Sequence, residues 1–534
     1  MANLIQCNNH SPTTLCECDE SVKLLDTLPP KWDPRNELPE DYQYLPEVDS
    51  NTTENIMPFD NRVTTDGTLG DIFRIFTDKA LPTTNELPSL KPTPNIGQLK
   101  VSIDVARKNK GEEDARAGAA VFISNGHPNN RAAKLPKYLD QSKETGELVA
   151  AKLAVEVLDP KLSLNIKTGS KYVHSFLKNP SKFEDEGFFN AGNAAVLQST
   201  VASFRARKTP TLISLSGRED DNNDKRGARA LANTAVKKDR ASYVNVFPPP
   251  TLQITGAKLK SLTQGLAYRI IKLIQTKRNE MVRRRTEDNL NRIKDSIQDR
   301  FNYIPTSELI WKAIRHKDLE RKTRDFMWMI IHDAYWTGTH WLRGNMSPEL
   351  QERAFCTLCG KVDDFRHILT ECESPGQNTI WSLAGDIWGL KNSTTPWTFL
   401  SLGDILGCGL ARAKNAGENR LWKVLIAESA YLIWVLRCER EIANEGNPFT
   451  ETEVQNRWVK MINDRLELDC KMTHPRYETK ALSKILVTQT WEGTLMGEEE
   501  LPEDWTTTSG VLVGITRGQR EEQGLSLAQT SVGL

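Results

Sequence analysis

Leu99-Lys-Val-Ser-Ile-Asp-Val105 opens the stretch that decides the fold. Its alternation of apolar and polar residues reads as a strand with a carboxylate, Asp104, near its end. After a charged turn comes a second strand of small apolar residues, Ala117-Gly-Ala-Ala-Val-Phe-Ile123. Gln141-Ser-Lys-Glu-Thr-Gly-Glu-Leu-Val-Ala-Ala-Lys-Leu-Ala-Val155 then opens a helix, with Glu147 one or two turns in. Leu164-Asn-Ile-Lys-Thr-Gly-Ser-Lys-Tyr-Val173 reads as a short strand running into a helix, and Gly227-Ala-Arg-Ala-Leu-Ala232 as the start of a closing helix.

In this order the segments resemble the type 1 ribonuclease H domain, and more narrowly the version carried by fungal non-LTR retrotransposons and their descendants. The resemblance implies an α/β ribonuclease H-like domain, a mixed five-stranded sheet with helices, followed by a mainly α zinc-stabilised region. It also implies a site in which four acids hold two magnesium ions that cleave the RNA strand of RNA–DNA hybrids. Two divalent ions about 4 Å apart repel each other unless several carboxylates converge on them. Magnesium also demands oxygen ligands in near-octahedral geometry. Asp104 and Glu147 match the acids of the first strand and the first helix. The third acid belongs immediately before Ser170, where Gly169 stands, and the fourth two residues before Leu231, where Arg229 stands. An arginine there brings a fixed positive charge into the metal site. The family's mobile histidine aligns with Leu215 in Ser214-Leu-Ser-Gly217. Asp220, Asp221 and Asp224 are candidates for a displaced ligand, although the run from Arg218 to Arg226 also reads as a solvated charged loop. The catalytic set is thus expected to be a remnant, with magnesium required only if the site is active.

A chain of 534 residues exceeds one hydrophobic core. The pattern divides it into a flexible acidic lead-in (1–95), the ribonuclease H-like domain (96–240), a Pro linker and basic helical connector (241–300), a zinc-binding domain (301–375), a helical region (376–497) and a loose tail (498–534). Charged residues make up 26% and the mean hydropathy is −0.51. No apolar run approaches the 18 or so residues of a membrane helix. The richest, Ala430-Tyr-Leu-Ile-Trp-Val-Leu436, lies between Glu428 and Arg437 and reads as a core helix. The first residues lack the basic and apolar regions of a secretory signal. An intracellular protein, nuclear or cytoplasmic, with no membrane partner is the expectation.

The net charge of zero hides an asymmetry. Residues 1–100 hold 16 acidic side chains against 8 basic, whereas residues 251–345 hold 19 basic against 10 acidic. From Thr255 to about Asp299 the spacing of Leu259, Leu262, Leu266, Ile270 and Leu273 predicts helix. Its polar face carries Lys258, Lys260, Arg269, Lys272, Lys277, Arg278, Arg283, Arg284 and Arg285, cations suited to tracking a phosphate backbone or to a merely solvated face. Farther on, Trp311, Phe326, Trp328, Tyr335, Trp336 and Trp341 allow base stacking. Leu319, Thr323, Phe326, Ile330 and Ala334, at helical spacing, favour core packing there.

Nine cysteines in an intracellular chain point to thiols or metal ligands rather than disulfides. Cys356-Thr-Leu-Cys359, with His367 and Cys372 after it, has the spacing of a four-ligand zinc site, and Gly360 suits the knuckle turn. Buried thiols beside a surface histidine are the plainer reading of the same residues. Together with Phe326 and Trp328, the set resembles the zinc-binding domain found beside reverse transcriptases of non-LTR elements. A closed shell of four protein ligands implies structural zinc. Cys7, Cys16 and Cys18 with His10 are a weaker cluster in the lead-in.

The whole suggests a retrotransposon-derived ribonuclease H-like protein that binds nucleic acid (RNA–DNA hybrid, RNA or DNA), with hybrid cleavage lost or impaired. Two alternatives stand beside it, an active metal-dependent ribonuclease H and a zinc-stabilised interaction protein. Oligomeric state is not legible in the sequence.

Overall fold

The structure, a computed structural model, describes residues 97–514 except 208, 217–221, 279–282, 374 and 392, together with 23, 25–26, 56–59 and 69–77. Cys7, His10, Cys16, Cys18, Asp220, Asp221, residues 515–534 and the side chains of Lys277 and Arg278 lie outside the described residues. The chain divides into two compact units, residues 1–110 with 114–280, and residues 111–113 with 281–534.

The first unit is built on a six-stranded sheet. Its strands are β1 (Ile56–Pro58), β3 (Gln98–Lys108), β4 (Arg116–Phe122), β5 (Arg131–Lys134), β6 (Ser163–Thr168) and β7 (Thr211–Leu215), in the order β1-β7-β6-β3-β4-β5. β3, β4 and β5 form an antiparallel meander, β6 and β7 continue parallel to β3, and β1 closes the edge antiparallel to β7. The five strands from Gln98 to Leu215 are compatible with a ribonuclease H-like fold. The sixth corrects the expected five, and it comes from the stretch read as flexible lead-in. Three residues of β1 pair with β7, whose outer backbone groups would otherwise be an open edge. Phe59 anchors the segment by packing on Phe204, ring centroids 4.9 Å apart.

Helices cover both faces of the sheet, as strand periodicity requires. Ile103 and Val105 face α2 (Lys143–Val157), whose first turn is capped by the Ser142 hydroxyl accepting from the Thr145 N–H. α2 lies so close to β3 that a Cβ at Gly146 would stand 2.7 Å from the Val105 side chain. α3 (Lys171–Lys178) follows β6, and α4 (Ala194–Arg205) packs beside α2. On the other face, Ala106 and Ala120 meet Ala232 and Val236 of α5 (Asn222–Lys237). Gly118 permits that approach, since a Cβ there would lie 2.7 Å from the Ala232 carbonyl oxygen.

Residues 69–77, whose sequence Gly70-Asp-Ile-Phe-Arg-Ile-Phe76 allows an added element in the lead-in, also hold regular structure. α1 (Leu69–Ile72) leads into β2 (Arg74–Ile75), which pairs with β8 (Ala257–Lys258). Buried Arg74 donates to the carbonyls of Glu184 (2.6 Å) and Gly256 (2.8 Å). The connector is accordingly not helical from Thr255. Helix begins only with α6 (Gln264–Arg278), where Leu266 and Ile270 are buried while Leu259 and Leu273 are exposed. Ala257 and Lys258 are held in extended form by pairing with β2, which local periodicity does not encode.

The second unit is helical. α7 (Arg284–Phe301), α8 (Ser307–Ile314), α9 (Arg321–Ile331), α10 (Gln377–Leu390), α11 (Ala416–Ile442), α12 (Glu451–Lys471) and α13 (Lys484–Trp491) share one apolar core. Leu319, Thr323, Phe326 and Ile330 face inward, and Trp422, Trp458 and Trp491 are fully buried. Buried ion pairs cross this core. Arg420 clasps Asp469 with two nitrogens (2.5 and 2.7 Å), and Asp469 also accepts from the Trp491 indole (2.9 Å). The tail read as loose from 498 is packed as far as Gly514. Trp505 is buried, and Leu495 pairs with Val513 across a bridge.

Candidate functional site

β3 places Asp104 opposite Ala120 of β4, on the sheet face that α5 covers, and β6 ends beside it with Thr168 opposite Ile103. Gly169 follows at the strand end, with no atom within 4 Å of where a Cβ would stand. Glu147 enters from α2 and is almost wholly buried, accepting from the Thr168 hydroxyl (3.4 Å) and pairing with Lys143 one turn earlier (3.5 Å). Burial pushes its carboxyl above the ordinary range, outweighing the Ser170 hydroxyl and the Lys143 ammonium. Asp104 accepts from the Val105 N–H at 2.8 Å. Arg229, from α5, lays its guanidinium against Asp104 (3.3 Å) and donates to the Val105 carbonyl.

Asp104, Glu147, Gly169 and Arg229 thus meet at one open cleft of about 710 Å³. Asp224, one turn before Arg229, is not among the lining residues. The sequence reading missed the cleft's dominant charge, which comes from Arg107, Lys110, Lys143, Lys225 and Arg226 in addition to Arg229. A signal for most of them was present. Lys143 precedes Glu147 by four, Lys225 and Arg226 precede Arg229 by four and three, and such spacings share a helix face.

The second constellation belongs to the helical unit. The Sγ atoms of Cys356, Cys359 and Cys372 are 3.5, 3.8 and 4.0 Å apart, and Cys359 Sγ lies 3.5 Å from His367 Nε2. A tetrahedral zinc with Zn–S of about 2.3 Å and Zn–N of about 2.05 Å sets ligand separations of roughly 3.8 and 3.6 Å. The cluster could therefore hold zinc. The knuckle is closed by Cys356 N–H to the Lys361 carbonyl (2.8 Å) and by Gly360 with φ of 65°. Residues His367–Glu371 form a π turn, and the Cys372 N–H reaches the His367 carbonyl at 2.8 Å. In an α-helix, residues five apart diverge by about 140°, so the wider turn is what lets His367 and Cys372 face one point. Burial lowers the His367 pKa, favouring the neutral imidazole that binds metal. Burial opposes ionisation of Cys356, but the backbone N–H groups of Cys359 and Leu358 bring its pKa below the ordinary thiol value. His367 turns Nε2 toward the thiols, 3.5 Å from Cys359 Sγ, so Nε2 is the ring atom that could bind the metal.

The connector's cations scatter. Lys258 is 5% exposed and paired with Asp185 (2.9 Å), so it is corrected from a phosphate contact to a structural ion pair. Lys260 pairs with Asp71 (2.9 Å) and Arg269 with the Asn190 side chain. Lys272 is exposed over the Tyr268 ring. Arg283 and Arg284 are exposed, and Arg285 pairs with Asp333. The Arg283-Arg-Arg run falls in the second unit and α6 in the first, so no single helix face carries the set. Of the aromatic residues, Phe326 is core, whereas Trp328 and Trp336 stand about half exposed.

No family model matches the chain. No curated protein matches it either. Among solved structures the chain is similar to LC9-RNase H1, a type 1 RNase H with the type 2 active-site motif. Identity is 14%, over 34% of this chain and 87% of that one, with a TM-score of 0.23. Among the described residues no helix is long and apolar enough to cross a membrane.

Proposed function

We propose that this protein is a ribonuclease H-like nucleic-acid-binding protein, descended from a non-LTR retrotransposon, in which cleavage of RNA–DNA hybrids is lost. The observation that carries the reading is the Arg229 guanidinium paired with Asp104, in the position where the resemblance calls for a fourth carboxylate. With Gly169 in the third position, two carboxylates remain against six cations among the described residues that line the cleft. That donor set does not fit a pair of magnesium ions, which require converging oxygen ligands of negative charge. Zinc on Cys356, Cys359, His367 and Cys372 would hold the helical unit together and has no open position for chemistry.

The test is incubation of the full chain with an RNA–DNA hybrid in magnesium and in manganese, beside a binding titration at low salt. Retention of the hybrid without cleavage is expected. Cleavage that disappears in Asp104→Asn would establish an active ribonuclease H instead. Failure to bind duplex, hybrid or single strands at low salt would leave a zinc-stabilised interaction protein.

A further inference from the structure

We propose that the cleft at Asp104 and Arg229 seats a backbone phosphodiester directly on side-chain cations, without a divalent metal. This rests on the nucleic-acid-binding reading above and names where and how the strand is held. Among the described residues the cleft is lined by Arg107, Lys110, Lys143, Lys225, Arg226 and Arg229 against two carboxylates, Asp104 and Glu147. Both carboxylates are already answered within the chain, Asp104 by Arg229 and the Val105 N–H, Glu147 by Lys143 and Thr168. The cleft is left with an excess of positive charge in a concave site, where low-dielectric walls focus the field on an incoming anion.

The shape of the charges favours phosphate over a monovalent anion. Guanidinium groups present planar forks that match two oxygens of one phosphate, and Arg107 and Arg226 supply two beside Arg229, which is already turned to Asp104. Lysine ammonium groups add point charges around them. The volume of about 710 Å³ takes a phosphate with its flanking sugars rather than a bare ion. A divalent cation entering the same space meets the net positive charge that remains once Asp104 and Glu147 are offset. The chain's own cations stand where a metal-dependent nuclease has ions.

Fluorescence anisotropy with the full chain and a labelled RNA–DNA hybrid tests this, in EDTA and in magnesium at matched ionic strength. Equal binding in both is expected, and dependence on magnesium overturns the proposal. Lys225→Ala/Arg226→Ala alters two exposed positions early in α5 and is expected to weaken binding roughly tenfold, with the slope of log K against log salt shallower by about two. Unchanged affinity and slope in that variant overturn the cleft while leaving nucleic-acid binding intact. Absence of any binding by the unaltered chain removes both readings. Inorganic phosphate is the competing ligand. Displacement of the hybrid only at millimolar phosphate is expected, whereas tight phosphate binding without hybrid binding assigns the cleft to a small anion. Should the double variant fail to fold, as seen in its melting curve, the magnesium comparison on the unaltered chain still decides.

Discussion

Glu147 shows how one residue changes character when its setting changes. With metal beside it a buried carboxylate is useful, but here it is buried at the wall of the cleft and faces Thr168, Ser170 and a single lysine. Its folded pKa is raised, so its contribution to stability is fully present below the ordinary glutamate value and is lost as pH rises through the folded one. Glu147→Gln should therefore raise the melting temperature of the first unit at pH 8, with the gain vanishing near pH 4, a comparison that differential scanning calorimetry reads directly. A constant offset across that range would contradict the assignment. At the neighbouring positions, Gly169→Asp with Arg229→Asp would rebuild a four-carboxylate set, and the open space at Gly169 admits the side chain. Isothermal titration should then show magnesium binding at least tenfold tighter than any by the unaltered chain.

At the scale of elements, the π turn of His367–Glu371 and the α12 ion pairs make different demands. Cys372→Ser removes one of the thiolates that this turn brings to the cluster, and zinc content by atomic absorption should fall from one per chain to near zero. Asp469 holds Arg420 in the core, and burial, which opposes its charge, is outweighed by Arg420, so its pKa lies below the usual carboxylate range. Asp469→Ala leaves buried Arg420 without its main partner and should cost about 3–5 kcal/mol, read as an earlier denaturation midpoint. The cost should shrink as pH falls through the carboxylate range, because the carboxylate's contribution is lost on that side.

For the whole molecule, two separate cores predict two unfolding transitions, with a strong zinc chelator lowering only the one that belongs to residues 281–534. The central strands and principal helices were legible because their apolar periods are long and their turn chemistry is local. Asp104 and Glu147 were singled out by the family resemblance, and the Cys/His set by the spacing of its four candidate ligands. β1 was not, since three residues in a stretch rich in proline and aspartate show no period and are ordered by the edge they cover. Lys258 was misread for a related reason. Its partner Asp185 is distant in sequence, and no local pattern distinguishes a buried ion pair from a solvated cation.

The Arg229 contact with Asp104 and the Val105 carbonyl has a thermodynamic corollary. A cluster of four carboxylates is a spring held shut by metal, and removing the ions lets like charges push its strands and helix apart. Here a helix of the same sheet carries the counter-charge covalently, so the spring is already shut. The fold of the first unit should be indifferent to divalent ions, its melting temperature flat across a magnesium titration. A unit built in this way keeps its fold whatever the supply of divalent ions.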